Sequence, residues 1–356
     1  MLKPSLLAVA CLALVACSEA EKVDPQQQVT QALGEKVYQA SYMQWWHNNR
    51  NLAASAQAFC DGKQDLAMAR QVYEGAQQSW EAIQPLMIGA IAENNRAWQV
   101  QFWPDKKNLV ARQVKQLMNR KPELTQADLE KASVVVQGLS AYEYLLYDKD
   151  IDFNNAAEKT KYCRLLTTIG THQEILSKKV YDTWSTQGGI LTDLSHYPNE
   201  QFAEPLEAIT IMLQAQVTAI DTLKKKLGAP MGRQLKQPTP VPFQAEGWRS
   251  GLSLKNMQST IESAQKVWQG VNDTGIRKLV AEQDPKVAET IDKAYADALA
   301  NLAGFDKPLT ELVVDKSQAA DLEKLYKSFD ALHRLHEREV AQVLGVQLGF
   351  NANDGD

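Results

Sequence analysis

The chain has 356 residues, of which 44% are hydrophobic and 23% charged, with a formal net charge of −5. That length suits one large domain or two ordinary ones. With no basic patch along the chain, the charge pattern argues against a nucleic-acid partner.

The first residues read as a secretion signal: Lys3 supplies a positive start, an apolar run extends from Leu6 to Val15, and Ala16 is a small residue before a cut. The run is shorter than the about 20 apolar residues of a permanent membrane helix. Leu14-Val15-Ala16-Cys17 resembles the lipobox of bacterial lipoproteins. This implies that residues 1–16 are removed and that the Cys17 thiol carries diacylglycerol, with further acylation by a chain such as palmitate. Cys11 fits less well, with Ala8 three residues ahead of it; a simple cleaved signal with an incidental cysteine is the alternative. Each buried CH₂ contributes roughly 0.8 kcal/mol, so the two or three chains of a lipoprotein hold durably. Ser18, in place of Asp, resembles the sorting signal for the outer membrane, so the expected location is the envelope, anchored to the outer membrane and facing the periplasm. Loss of Lys3 takes the charge to −6, and the polar stretch 17–28 with Pro25 is expected to be a tether.

Helical periodicity dominates the rest of the chain and strand alternation is absent, so the expected fold is all-α, two packed bundles of four-helix-bundle type. Helices are predicted over Gln28–Phe59, with Met43 on the inner face, and over Gln64–Ile83, with Met68 inward and Pro85 closing it. Asn108–Met118, Thr125–Tyr147 and Ala156–Trp184 complete an N-terminal bundle over 29–190. Thr125 is a suitable N-cap, with Asp128 placed as in a capping box. Gly188, Gly189 and Pro198 mark a break from Ser185 to Asn199. Phe202–Leu227 resumes the pattern, and a stretch from Gly228 to Gly247 holds prolines 230, 238, 240 and 242. Leu252–Gln269, Pro285–Leu302 and Ser317–Leu348 complete a C-terminal bundle over 200–356. The similar halves, with a faint echo of residues 138–146 in 304–312, leave a tandem duplication open.

With Cys11 and Cys17 accounted for, Cys60 and Cys163 remain, and in an oxidising compartment they are expected to pair. In the chain-entropy model such a loop stabilises by about 4–5 kcal/mol. The alternative is two buried thiols acting as small apolar residues.

Four stretches in order resemble the imelysin-like family. They are Trp103-Pro104-Asp105, the run from Gly138 to Leu146, the run from Trp248-Arg249-Ser250-Gly251 to Leu254, and the end from Leu348-Gly349-Phe350 to Asp356. The resemblance implies two helical bundles with a ligand site where they meet, built from Gly138, Ser140, Glu143, Trp103, Arg249 and Ser250. The family has been classed with metallopeptidases and linked to iron-regulated envelope proteins, so iron or another divalent metal is the candidate cofactor. Its signature is Gly-x-His-x-x-Glu. Gly138 and Glu143 match it, while Ser140 stands where the histidine is expected. On a helix, positions 140 and 143 share a face, but serine and glutamate are a poor pair for zinc, and iron(II) wants two histidines and a carboxylate.

Glu143 lies in an apolar helix, where burial raises a carboxyl's pKa and fits it for general acid or base work. The family pattern suggests Arg249 as its cation; the bland alternative is a structural pair with Arg249 or Ser140. The one local cluster with metal-ligand character is His333, His336 and Glu339, in charged surroundings that read as a solvated helix face. His172 and Glu174 point to different faces, His47 reads as a core or boundary residue, and His196 sits in a loop where it could complete a distant site. The tryptophans read as packing. Three functions compete: a ligand- or metal-binding accessory in iron acquisition, a metallopeptidase using Glu143, and a non-enzymatic lipoprotein that presents its bundles to an envelope partner.

Overall fold

A computed structural model of the protein describes residues 24–349; the secretion signal, Cys17 and the stretch from residue 350 onward lie outside the described residues. Within them every regular element is helical, as a sequence without period-2 alternation requires. Six helices of nine residues or more precede the central loop: α1 Pro25–Leu33, α2 Gln39–Cys60, α3 Leu66–Ile83, α4 Leu109–Arg120, α5 Leu139–Tyr147 and α6 Ala156–Ser185. Five of comparable size come after it: α7 Pro205–Gly228, α8 Ser253–Gln269, α9 Ile276–Gln283, α10 Pro285–Ala303 and α11 Ala319–Arg334. Helix α9 was not among the predicted elements.

Helix α1 starts within the expected tether. The Asp24 carboxylate accepts from the Gln26 amide at 2.7 Å and Pro25 opens the first turn, a cap and an N1 proline that together nucleate a helix. A π-helical turn, Gly34–Tyr38, joins it to α2. Met43 and Met68 face outward, at 42% and 50% exposure.

The region from Thr125 to Tyr147 is not one helix. Its predicted capping box is present, with the Thr125 and Asp128 side chains each bonded to the other's backbone. The helix nevertheless stops at Glu130, the β-branched run Val134–Val136 forms a 3₁₀ turn, and α5 starts anew at Leu139. Gly138 causes the interruption. A Cβ at that position would sit 2.2 Å from the Val100 carbonyl oxygen, so the chain passes closer to its neighbour than any side chain allows. Gln173 of α6 holds the crossing together by donating to the carbonyls of Gln99 and Gln137 at 2.8 and 3.1 Å.

Helix α2 packs along both α3 and α6, and its end is tied to α6 by the expected disulfide, Cys60–Cys163, with the two Cα atoms 5.6 Å apart. Tyr42 stacks on Trp184 at 5.0 Å and Trp45 meets Trp80 at 5.6 Å. After the loop, α10 packs on α8, α9 and α11, while α7 packs on α11. The earlier and later helices meet where α8 lies against α3 and where α7 crosses the turn Gln84–Leu86. Thr260 of α8 donates to the Glu81 carbonyl at 3.2 Å across this seam. Among the described residues no helix is long and apolar enough to cross a membrane.

Candidate functional site

Glu143 is placed by the first turns of α5, which the close crossing at Gly138 fixes against residues 99–102. Its carboxylate is 5% exposed. Oε1 accepts two hydrogen bonds, from the Ser250 amide at 2.8 Å and the Ser250 hydroxyl at 2.7 Å. Ser250 can reach it because Gly247 and Gly251, at φ +63° and +74°, fold the Trp248-Arg249-Ser250 segment into a tight turn that other residues adopt poorly. Burial raises the Glu143 pKa, and the Ser250 bonds and the charge of Arg249 oppose that rise without cancelling it. A raised pKa makes a carboxyl a stronger base than an exposed one.

The Arg249 guanidinium is not the direct partner of Glu143, although its charge and its backbone amide act on that carboxylate. Its Nε donates to Asp148 at 2.7 Å and an NH2 group donates to the Asn108 side chain at 2.7 Å. The guanidinium lies 4.2 Å from the centre of the Trp248 ring. Two carboxylates compete for one fork, and Asp148, at the end of α5, offers the in-line geometry. Ser140 does not reach Glu143 either. Its Oγ accepts from the Phe102 amide at 3.1 Å and donates to the Phe102 carbonyl at 3.0 Å, stapling α5 to the segment before Trp103. The Trp103 indole donates to the Gln244 carbonyl at 3.1 Å.

Four of the six expected ligand residues share one pocket. Trp103, Ser140, Glu143 and Arg249 line a small pocket of about 20 Å³, room for roughly one water. Ser250 joins the site through its bonds to Glu143, and Gly138 is the N-cap of α5. Asp105, Phe243, Gln244, Trp248 and Arg249 separate it from a cleft of about 890 Å³, a volume within the range of small-molecule sites.

Beside this pocket lies a charge cluster that sequence reasoning missed. Lys226 of α7 sits 2.7 Å from Glu81 of α3 and 2.7 Å from Glu246 of the loop before α8. All three side chains are at most 5% exposed. Gln77 donates to Glu81 at 2.8 Å and Gln101 to Glu246 at 3.0 Å. Burial and the neighbouring Glu81 push the Glu246 pKa up to about 8 against the pull of Lys226. For Lys226 burial works downward, but the two carboxylates outweigh it and its pKa is raised. The available signal was a glutamate beside Trp80 on the inner face of an amphipathic helix.

The histidine cluster is a correction. His333 and His336 turn inward, at 7% and 0% exposure, while Glu339, in the π-helical turn Leu335–Val340, is exposed. The charged neighbours take the outer face, as 3.6-residue periodicity allows. The His336 imidazole lies between Trp268 and Tyr295, with Nδ1 at 3.0 Å from the Leu332 carbonyl and Nε2 at 3.1 Å from the Tyr295 hydroxyl. His333 stands beside Lys224, its Nδ1 3.4 Å from Nζ. His172 is buried, whereas His47 and His196 are exposed, His47 meeting Trp46 edge-on.

Burial lowers the His336 pKa to about 4, from 6.5. A base depressed by folding binds its proton in the unfolded chain first, so its contribution to stability is full above pH 6.5 and is lost as pH falls toward 4. Urea titrations should show stability falling through that window, by at most about 1.4 kcal/mol per pH unit. The slope should flatten in His336→Gln. An unchanged slope in that variant would contradict the assignment.

Among the described residues no group of three His, Cys, Asp or Glu side chains is placed to hold a metal ion. Glu143 brings one carboxylate, and the neighbouring Ser140 hydroxyl is committed to Phe102. This donor set does not fit the metal that a His-x-x-Glu motif implies.

No curated protein matches the chain. An imelysin-like protein from Psychrobacter arcticum 273-4 has a similar crystal structure, with TM-score 0.77, 19% identity, and coverage of 92% of this chain and 98% of that one. Another, from Parabacteroides distasonis ATCC 8503 and assigned as an iron-regulated protein A precursor, aligns with TM-score 0.73 and 13% identity over 92% of this chain and 96% of that one. At those identities the likeness establishes the fold. The imelysin family model, of the peptidase M75 class, matches residues 38–336, and the chain therefore belongs to the imelysin family.

Proposed function

We propose that this chain is a lipid-anchored envelope protein that binds a ligand at the junction of two bundles, 29–190 and 200–356, as an accessory in iron acquisition. The observation that carries this reading is the placement of Glu143. A buried carboxylate from α5 is held by Ser250, 107 residues away, beside a cleft of about 890 Å³. Two distant segments converge on one polar group next to a ligand-sized space, the arrangement typical of a binding site. The iron role is drawn from the related iron-regulated protein A precursor. Anchoring through Cys17 at the outer membrane, facing the periplasm, is drawn from the lipobox-like sequence.

The test compares a deletion strain carrying wild type, Glu143→Gln or Cys17→Ser under iron starvation, with radioactive iron uptake and cell fractionation as readouts. Wild type is expected to restore uptake and to sediment with membranes. Glu143→Gln should sediment normally without restoring uptake, and Cys17→Ser should appear in the soluble fraction. Uptake indifferent to the deletion would sink the iron role.

The raised Glu143 pKa favours a second reading, a peptidase that uses this carboxyl as general acid or base. Turnover of casein or a peptide panel, with or without divalent metals, and its loss in Glu143→Gln, would establish that reading instead.

A further inference from the structure

Three lysines on the wall of the large cleft, Lys106, Lys107 and Lys149, have no ion-pair partner among the described residues. The cleft's two carboxylates are both engaged. Asp105 accepts the amides of Leu109 and Val110 at the start of α4, and Asp148 is paired with Arg249. Counting Arg249, the lining carries four cations and two anions. This excess sits in a chain whose net charge is −5. A concave lining with a net positive charge draws counter-charge toward it.

The same lining also carries aromatic rings, Phe243 and Trp248. Phe243 is 65% exposed, far more than an apolar ring in a folded protein usually is, and it meets Trp248 edge-on at 4.9 Å. Pro240 and Pro242 flank it, holding the segment in a restricted backbone conformation, so the ring is presented at little further entropic cost.

We propose that this cleft binds a small organic anion, a carboxylate or sulfonate joined to a planar ring. The ring would lie against Phe243 and Trp248 and the acidic group would face Lys106, Lys107 and Lys149. The inference rests on the binding reading of the adjoining Glu143 site and specifies the ligand class that site would receive.

The test uses two dyes with the same ring system: 8-anilinonaphthalene-1-sulfonate, an anion, and N-phenyl-1-naphthylamine, which lacks the sulfonate. Their fluorescence is titrated with the chain starting after Cys17, as wild type, as the triple variant Lys106→Gln/Lys107→Gln/Lys149→Gln, and as Phe243→Ala. Circular dichroism confirms the fold of each. Wild type is expected to prefer the sulfonate by roughly tenfold or more, a preference that added salt weakens. The triple variant should lose the preference while still binding the neutral dye, and Phe243→Ala should weaken both. Equal binding of the two dyes, or a preference that survives the triple variant, overturns the ligand class and leaves the binding reading standing. No binding of either dye overturns both.

Discussion

Replacing Lys226 with methionine should destabilise the fold by about 3–5 kcal/mol at pH 8, among the largest effects of any single substitution. The ammonium lies 2.7 Å from each of two buried carboxylates. Without it Glu81 and Glu246 face one another in a desolvated seam, with only the amides of Gln77 and Gln101 and the Thr260 hydroxyl to answer them. The loss should shrink toward pH 5, where Glu246 takes up a proton. In the wild type, Glu246 has its folded pKa pushed up to about 8. A carboxyl raised by folding contributes stability that is full below its unfolded value, near 4.5, and is lost as pH rises to about 8. Glu246→Gln imitates the protonated acid, so it should flatten that decline and leave the protein near wild-type stability at neutral pH. Chemical denaturation of the three proteins across pH 5–8 checks both statements. A Lys226→Met variant as stable as wild type at pH 8 would show that the cluster does not bear on the fold. The triple replacement Lys226→Met/Glu81→Gln/Glu246→Gln should recover most of the loss, because breaking a buried ion cluster costs more than removing it entirely.

Loss of the Cys60–Cys163 bridge is the second large effect. The bridge spans 103 residues, and closing a loop of that length restricts the unfolded chain by about 4–5 kcal/mol in the entropy model. The double variant Cys60→Ala/Cys163→Ala should unfold at lower urea with a larger m-value, since the released denatured chain exposes more surface. Both cysteines lie at partly or fully buried positions, with Cys163 9% exposed, so two small alanines fit without crowding. A loss below about 1 kcal/mol would mean that the reduced, unfolded chain is already compact in this region.

The site was partly legible in advance because its pieces are local motifs. Gly138 marks a place where backbone meets backbone, and a glycine ahead of an apolar helix is a visible sign of that. Ser250 between two glycines marks a turn that aims one amide and one hydroxyl at a single point. The partner choice within the site was not legible. The family resemblance suggests Arg249 as the cation for Glu143, yet Asp148 takes the guanidinium because the end of α5 brings that carboxylate alongside. Ser140 looks like a degraded metal ligand, yet it serves as a staple on Phe102. His333 and His336 look solvated because their neighbours in sequence are charged. Those neighbours occupy the other side of the helix.

By itself the sequence determined the all-helical class, most helix positions and the pairing of Cys60 with Cys163. Periodicity, capping and cysteine count are short-range properties that one chain carries in full. Only the tertiary structure decided that Glu81, Lys226 and Glu246 share a buried seam, that Arg249 belongs to Asp148, and that three lysines and an exposed phenylalanine line one cleft. Each of those depends on which helix faces meet across some 100 residues or more. Burial, dielectric and charge pairing are set by that meeting and not by any local stretch of chain.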